Sequence, residues 1–217
     1  MNKRAGCSWS GGKDSCFALM QAVQQGYLPV VLVNMMNENG QISRSHGLPV
    51  AILQQQAAAM GLPLIATPSS WNSYEKNFIA VLDELRGKFT AGSMVFGDID
   101  LQAHRDWEEM VCAKADMQAL LPLWQQHRKT LLLQMLAAGI KATIVSCNTV
   151  LGESFLGQLL TETLMQRLEE KGVDVCGENG EFHTVVTDCP LFKQPLSLPA
   201  YTTVLHDNYW FLQWAAS

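Results

Sequence analysis

Short apolar runs alternate with amphipathic stretches through the first hundred residues, and this pattern restricts the fold more than any other feature of the chain. Ala5 to Trp9 reads as a strand and Asp14 to Gln25 as a helix stopped by Gly26; Pro29 to Asn34 reads as a second, buried strand. The cycle repeats with a helix over Val50 to Met60 closed by Gly61, a strand over Leu62 to Ala66, and a helix from Ser73 to Leu85 ending before Gly87. Ser93 to Phe96 supplies a further strand. Strand-helix-strand units of this kind cross over right-handedly and build a parallel sheet covered by helices on both faces. Ligands of such sheets sit beyond the carboxyl ends of the strands. The expected class is therefore α/β, a doubly wound parallel sheet of Rossmann-like type, with a smaller α+β domain after it.

The character changes after Leu121-Pro122-Leu123-Trp124. A helix is expected from His127 to Ala138 with Gly139 as its stop, then a strand over Ala142 to Ser146 and a helix from Leu156 to Lys171. Thr202 to Leu205 and Tyr209 to Leu212 are β-rich runs joined by the turn residues His206-Asp207-Asn208, which predicts a hairpin. The expected division places one domain at residues 1–125 and the other at 126–217.

Composition removes several classes of function. A net charge of -5 with 16% charged residues gives no basic footprint, so nucleic acid is not an expected partner. No apolar run approaches the roughly 18 to 20 residues that span a bilayer, and Met1 to Gly6 turns polar too soon for a secretory signal, so a cytoplasmic protein without membrane contact is expected. The cysteines, Cys7, Cys16, Cys112, Cys147, Cys176 and Cys189, show no zinc-like spacing and read as reduced, packed thiols. By base rate the default assembly is a two-fold homodimer.

Between the first strand and first helix stands Ser10-Gly11-Gly12-Lys13-Asp14-Ser15. A glycine-rich turn there aims backbone N–H groups and the positive end of the helix dipole at one point, which suits phosphate. Lys13 adds a point charge, and Ser8, Ser10 and Ser15 add hydroxyls. The glycine spacing excludes a Walker A loop, as does Asp14 in place of the magnesium-binding hydroxyl. The plainer alternative is a helix start capped by Ser10, with Asp14 complementing the dipole.

The same stretch resembles the PP-loop of the ATP pyrophosphatases, which split ATP between the α and β phosphates and hold the departing pyrophosphate in this loop. Phe96-Gly97-Asp98-Ile99-Asp100, His104-Arg105-Asp106-Trp107 and Pro122-Leu123-Trp124 are similar in order and wording to the diphthine-ammonia ligase branch. So are Gly177-Glu178-Asn179-Gly180-Glu181-Phe182-His183-Thr184 and Asp188-Cys189-Pro190-Leu191-Phe192. The resemblance runs from residue 7 to about residue 192. It implies ATP with Mg²⁺, bound by Ser8, Ser10, Gly11, Gly12, Lys13, Asp14, Ser15, His46, Gly97 and Asp98, with Asp14 and Asp98 facing the metal. It also implies catalytic roles for Lys13, Asp14, Glu178, Glu181 and His183.

Read from the residues alone, several of these positions keep two meanings. Asp98 and Asp100 at a strand end suit Mg²⁺ or ribose hydroxyls, and equally a solvated, capped turn. His104 and Arg105 suit phosphate or carboxylate, or a helix surface. Glu178, Glu181 and His183 form a loop dense in acid-base groups, or a glycine turn with exposed charge. Ser45-His46-Gly47 stands where members of the resembled family carry a histidine near nucleotide or acceptor, and a plain surface loop fits as well.

The resemblance implies an ATP-dependent, amide-forming ligase. It would adenylate a substrate carboxylate, release pyrophosphate and pass the acyl group to ammonia or an amine. Where members acting on diphthine read Glu-Gly-Gly-Glu-Tyr-Glu-Thr, this chain has Asn179 for a glycine and His183 for an acid; if that loop contacts the acceptor, the acceptor differs, as suggested for bacterial-type members in corrinoid salvage, and otherwise the diphthine-ammonia ligase reading stands. Two other readings stay open: a nucleotide sensor that binds without turnover, and a PP-loop sulfur transferase acting on tRNA. The acidic balance and the lack of a C-x-x-C pair count against the transferase.

Overall fold

A computed structural model describes residues 3–44 and 46–215. Five parallel strands, β1 (Arg4–Ser8), β2 (Leu28–Met36), β3 (Leu64–Pro68), β4 (Ser93–Val95) and β5 (Gln118–Leu120), form a sheet in the order β3-β2-β1-β4-β5. The chain winds outward from β1 in one direction through β2 and β3, then returns to place β4 on the other side of β1. The switch point of the sheet therefore lies between β1 and β4, where a crevice opens beyond the strand ends.

Helices cover both faces, as the near-continuous burial of β2 requires. Helices α1 (Lys13–Gln24) and α2 (Val50–Met60) share one core with the inner residues of the sheet, and α3 (Tyr74–Phe89) and α4 (Gln102–Lys114) share another. Phe78, Val81, Leu82 and Leu85 form the buried stripe of α3, at the i, i+3, i+4, i+7 spacing of one helix face.

A second sheet, antiparallel, follows helix α5 (Arg128–Ala137). Its strands β6 (Lys141–Asn148), β7 (Phe182–Asp188), β8 (Tyr201–His206) and β9 (Tyr209–Trp214) lie in the order β7-β6-β9-β8, with helix α6 (Glu162–Glu170) between β6 and β7. Ile144, Val145, Phe182, Val185 and Val186 from this sheet join the core that also holds Cys16, Phe17 and Leu19 of α1. The two sheets thus meet across one continuous apolar contact, and β7 runs beside the turn that opens α1.

Three expectations from the sequence need correction, and two elements go beyond them. Gly87 does not stop α3, which runs on to Phe89 and ends at Thr90 in the left-handed conformation. The helix expected from Leu156 begins at Glu162, because the Thr161 side chain accepts from the Leu164 N–H and caps it there, leaving Leu156 to Leu160 outside the helix. Strand β5 and helix α4 were not anticipated as elements. His183 and Thr184, read as part of a loop, belong to β7.

Candidate active site

The loop after β1 is held from several sides. Gly11 has φ +86°, and a side chain on it would run into Leu48, Leu53 and Gln56. The Gly11 carbonyl accepts from the Val186 N–H at 2.9 Å and from Gln56 Nε2 at 2.9 Å. Gln56, with no exposure, also donates to the Val186 carbonyl at 2.8 Å and accepts from Trp9 Nε1 at 2.8 Å. One buried amide therefore ties β1, the loop and β7 together.

Within the loop, Ser10 and Ser15 hydroxyls lie 3.0 Å apart and the Gly12 N–H donates to Ser10 Oγ at 3.2 Å. The N-cap of α1 is Gly12, without a side-chain cap, so Ser10 is not the expected capping residue. The Lys13 N–H donates to Thr184 Oγ1 at 3.1 Å. The second sheet thus supplies a partner for the first turn of α1.

The loop opens into a cleft of about 720 Å³. Ser8, Ser10, Lys13, Asp14 and Ser15 form its floor, and Phe96, Gly97 and Asp98, following β4, form the adjoining wall. Gly97 packs so closely that a Cβ on it would lie 2.8 Å from the Ser15 nitrogen and 2.9 Å from the Asp14 carbonyl carbon. From the second half of the chain come Cys176, Glu178, Phe182, His183 and Thr184, and His46 closes one side. Of the expected site residues, Glu181 is not brought to this cleft. Its carboxylate accepts from the Asn179 N–H at 3.0 Å, from Asn179 Nδ2 at 3.0 Å and from the Asp174 N–H at 3.3 Å, and so shapes the loop before β7. Asp100 is likewise engaged elsewhere, with both oxygens 2.8 Å from Arg128. Arg105 pairs with Glu109 at 2.7 Å along the outside of α4. Ser45 lies outside the described residues.

Lys13 is buried, with Nζ 2.8 Å from Asp14 Oδ2 and bonded to the Cys176 carbonyl. Burial disfavours its charge, but Asp14, Cys176 and Glu178 more than offset this and raise its pKa. Asp14 Oδ1 remains buried without a protein partner. Glu178 faces the same space, and burial, followed by the charge of Asp14, pushes its carboxyl up to about 8. Among the described residues, no three His, Cys, Asp or Glu side chains converge as a metal site.

His46 donates through Nδ1 to the Thr184 carbonyl, 2.8 Å away; a carbonyl only accepts, which fixes the proton on Nδ1. Burial holds the His46 pKa down to about 4 and that of His183 down to about 3, with each other's proximity and Lys13 adding to the effect on His183. Both are neutral imidazoles at physiological pH.

Asp98, expected to face the metal, lines the cleft and is also held from α4. Its Oδ1 lies 2.6 Å from His104 Nδ1, and the Glu108 carboxyl closes on the same group. Burial opposes the Asp98 charge, yet the hydrogen bonds from His104 and Glu108 lower its pKa overall. Glu108 was not singled out from the sequence. It is 4% exposed, and burial followed by the Asp98 carboxylate raises its pKa to about 10. If Glu108 were ionised, its carboxylate would lack a donor; protonated, it donates to Asp98. The signal that could have found it is spacing: Glu108 shares the inward stripe of α4 with Val111 and Cys112. A smaller chamber of about 70 Å³ opens beside Ser8 and Ser10, where Asn34 Oδ1 and Arg44 Nε are buried without partners.

With this geometry in view, the N-terminal domain model of diphthamide synthase matches residues 3–119 and the C-terminal domain model matches residues 128–216. The chain belongs to the diphthamide synthase family. Diphthine–ammonia ligase of Mus musculus is 31% identical over 91% of this chain and 83% of its own length, and that of Homo sapiens shows the same figures. A solved chain described as a predicted subunit of tRNA methyltransferase from Methanocaldococcus jannaschii superposes with a TM-score of 0.47 at 16% identity, covering 86% of this chain and 98% of that one. Both diphthamide synthase spans contribute to the cleft, the first through the loop after β1 and the second through Cys176 to Thr184.

Cys7 and Cys147, near strand ends, are not poised as nucleophiles. All six cysteines are free and buried; burial pushes Cys7 up and Cys147 up to about 11, which keeps both as thiols. Among the described residues, no helix is long and apolar enough to cross a membrane.

Proposed function

We propose that this protein is an ATP-dependent, amide-forming ligase that activates a carboxylate by adenylation and then transfers the acyl group to ammonia or an amine. The observation that carries the reading is the meeting of the Ser10 to Ser15 loop with the Cys176 to Thr184 segment in one cleft, in a chain matched along both halves by diphthamide synthase models.

The substrate carboxylate attacks the α-phosphorus of ATP, the bond to the bridging oxygen breaks, and pyrophosphate leaves into the loop. Activation is needed because a free carboxylate is a poor acyl donor, whereas AMP leaves readily. The nitrogen lone pair then forms the C–N bond, AMP departs with the electrons of the acyl C–O bond, and the surplus proton passes to a base. Glu178, which lines the cleft and whose carboxyl is pushed up to about 8, is matched to that proton, whereas His183 at about 3 is too weak a base.

Lys13, with the loop N–H groups, steadies the charge on the departing pyrophosphate. Asp14, through its unpartnered Oδ1, is the carboxylate that would hold Mg²⁺, and the ion would supply neutralisation of phosphate charge. The chamber beside Asn34 and Arg44, with an acceptor and a donor unused, suits the edge of the adenine ring. Residues 1–125 form the nucleotide side and residues 126–217 the acceptor side. His183, which lines the cleft where the resembled loop carries an acid, favours an acceptor other than diphthine.

The test is the nucleotide product formed from Mg-ATP, ammonium and a pooled extract of cellular carboxylates. AMP with pyrophosphate is expected. ADP with phosphate, or no cleavage with any carboxylate fraction, would overturn the ligase reading.

A further inference from the structure

The wall of the cleft beyond Gly97 has a composition that the nucleotide does not explain. Tyr74 and Phe78 from α3 and Trp107 from α4 line it, with ring centroids 5.6 Å apart for Tyr74 and Trp107 and 5.1 Å for Phe78 and Trp107. Asp98 and Glu108 stand on the same wall. A separate observation shows that the acids are incomplete: Glu108 is 4% exposed, and its Oε2 is buried with no hydrogen-bond donor. An aromatic wall beside acidic oxygens is the arrangement that favours a cation, through the ring quadrupoles and through charge-assisted hydrogen bonds together.

We propose that this end of the cleft is the subsite for the nucleophile, and that the nucleophile is a primary organic amine: Asp98 and Glu108 take its nitrogen head, and Tyr74, Phe78 and Trp107 take its carbon chain. The inference rests on the ligase reading and names the class of amine within it. Ammonia would meet the acidic oxygens but leave the aromatic wall unused. An alkyl amine fills both. The position fits as well, because Gly97, next to Asp98, touches the backbone of Asp14 and Ser15, so the subsite adjoins the phosphate loop. His104, whose Nδ1 lies 2.6 Å from Asp98 Oδ1, orients that carboxylate and acts as a positioning residue.

The probes are ammonium chloride and n-propylammonium chloride, followed by ligand-observed NMR on the full chain with Mg-ATP present, while ATP binding is measured separately by calorimetry. The subsite predicts binding of propylammonium at least tenfold tighter than ammonium. Glu108→Leu, which removes the acceptor oxygen, should weaken propylammonium at least tenfold while changing ATP affinity less than twofold, and Asp98→Asn should also weaken propylammonium at least tenfold. Trp107→Leu should weaken propylammonium and leave ammonium unchanged, a split that general unfolding would not produce; melting curves check that each variant folds. Equal affinity for the two cations, no propylammonium binding by the wild type, or unaltered binding in all three variants would overturn the proposal. Loss of the ligase reading shows itself differently, as failure to form AMP and pyrophosphate whatever the amine.

Discussion

The imidazoles of His46 and His183 lie with their centroids 4.6 Å apart, one from the segment after β2 and one from β7. Burial keeps both uncharged in the fold, with pKa values of about 4 and about 3 against an ordinary 6.5. Below pH 6.5 the unfolded chain therefore binds protons that the folded chain refuses, so stability is full above that pH and falls as pH drops towards 4. Each histidine contributes a slope of up to about 1.4 kcal/mol per pH unit. Urea midpoints from pH 7.5 to 5 should fall for the wild type and fall less steeply for His183→Gln. Identical slopes would mean that His183 is charged in the fold.

Gly97 gives a sharper prediction because the obstacle to a side chain there is backbone. In Gly97→Ala the new Cβ would meet the Ser15 nitrogen at 2.8 Å, and neither partner can rotate away. The strand end and the phosphate loop must separate, at a cost of about 1–3 kcal/mol, as for other overpacked sites. ATP affinity should drop at least tenfold. Gly87→Ala is the control: it lies inside α3 with nothing within 4 Å of an added Cβ, so it should stabilise by about 0.5–1 kcal/mol and leave ATP binding unchanged. Calorimetry and thermal melting of both variants decide the matter.

Gln56 joins the loop to both sheets, so its loss should be felt in stability and in nucleotide binding together. Gln56→Leu strips Trp9 Nε1 of its acceptor and the Val186 carbonyl of a donor, each buried. About 1–3 kcal/mol is expected for each group left unsatisfied. Denaturant unfolding should show the loss, and ATP should bind more weakly because the Gly11 carbonyl keeps only the Val186 N–H. A variant with wild-type affinity for ATP would show that the loop is fixed by β7 alone.

Asp14→Ala removes the carboxylate with the free Oδ1 and one partner of Lys13. The fold should survive, since the Lys13 ammonium keeps the Cys176 carbonyl. Formation of AMP should fall by at least a hundredfold across all Mg²⁺ concentrations. Turnover restored by raised Mg²⁺ would mean that Asp14 only tunes metal affinity.

The loop and the parallel sheet were legible because their signals are local: paired glycines between an apolar run and a helix, and stops such as Gly26 and Gly61, which adopt positive φ. The hairpin was legible from His206-Asp207-Asn208, where Asp207 takes φ +51°. Strand β5 escaped because Gln118-Ala119-Leu120 is a strand only through pairing with β4. Leu156 to Leu160 looked helical because apolar runs are ambiguous, and only the Thr161 cap decides where α6 begins. Glu181 looked catalytic from its neighbours in sequence, but loop closure turned its carboxylate back onto Asn179 and Asp174. Glu108 stayed hidden for the opposite reason, since an acid on a charged helix reads as solvated until the packing against Asp98 is seen.

Glu108 also sets the behaviour of the fold at high pH. Its carboxyl titrates near 10 in the folded chain, against an ordinary 4.5, because burial and the Asp98 charge oppose ionisation. Between those values the unfolded chain has released a proton that the folded chain keeps, so Glu108 makes stability fall as pH rises. The slope is at most about 1.4 kcal/mol per pH unit. Glu108→Gln keeps the shape and a donor for Asp98 but cannot ionise in either state. The variant should therefore gain on the wild type as pH rises from 5 to 8, with the gap read from denaturant midpoints at each pH. Were the gap constant with pH, Glu108 would be ionised in the fold, and Asp98 would have to find its second donor elsewhere.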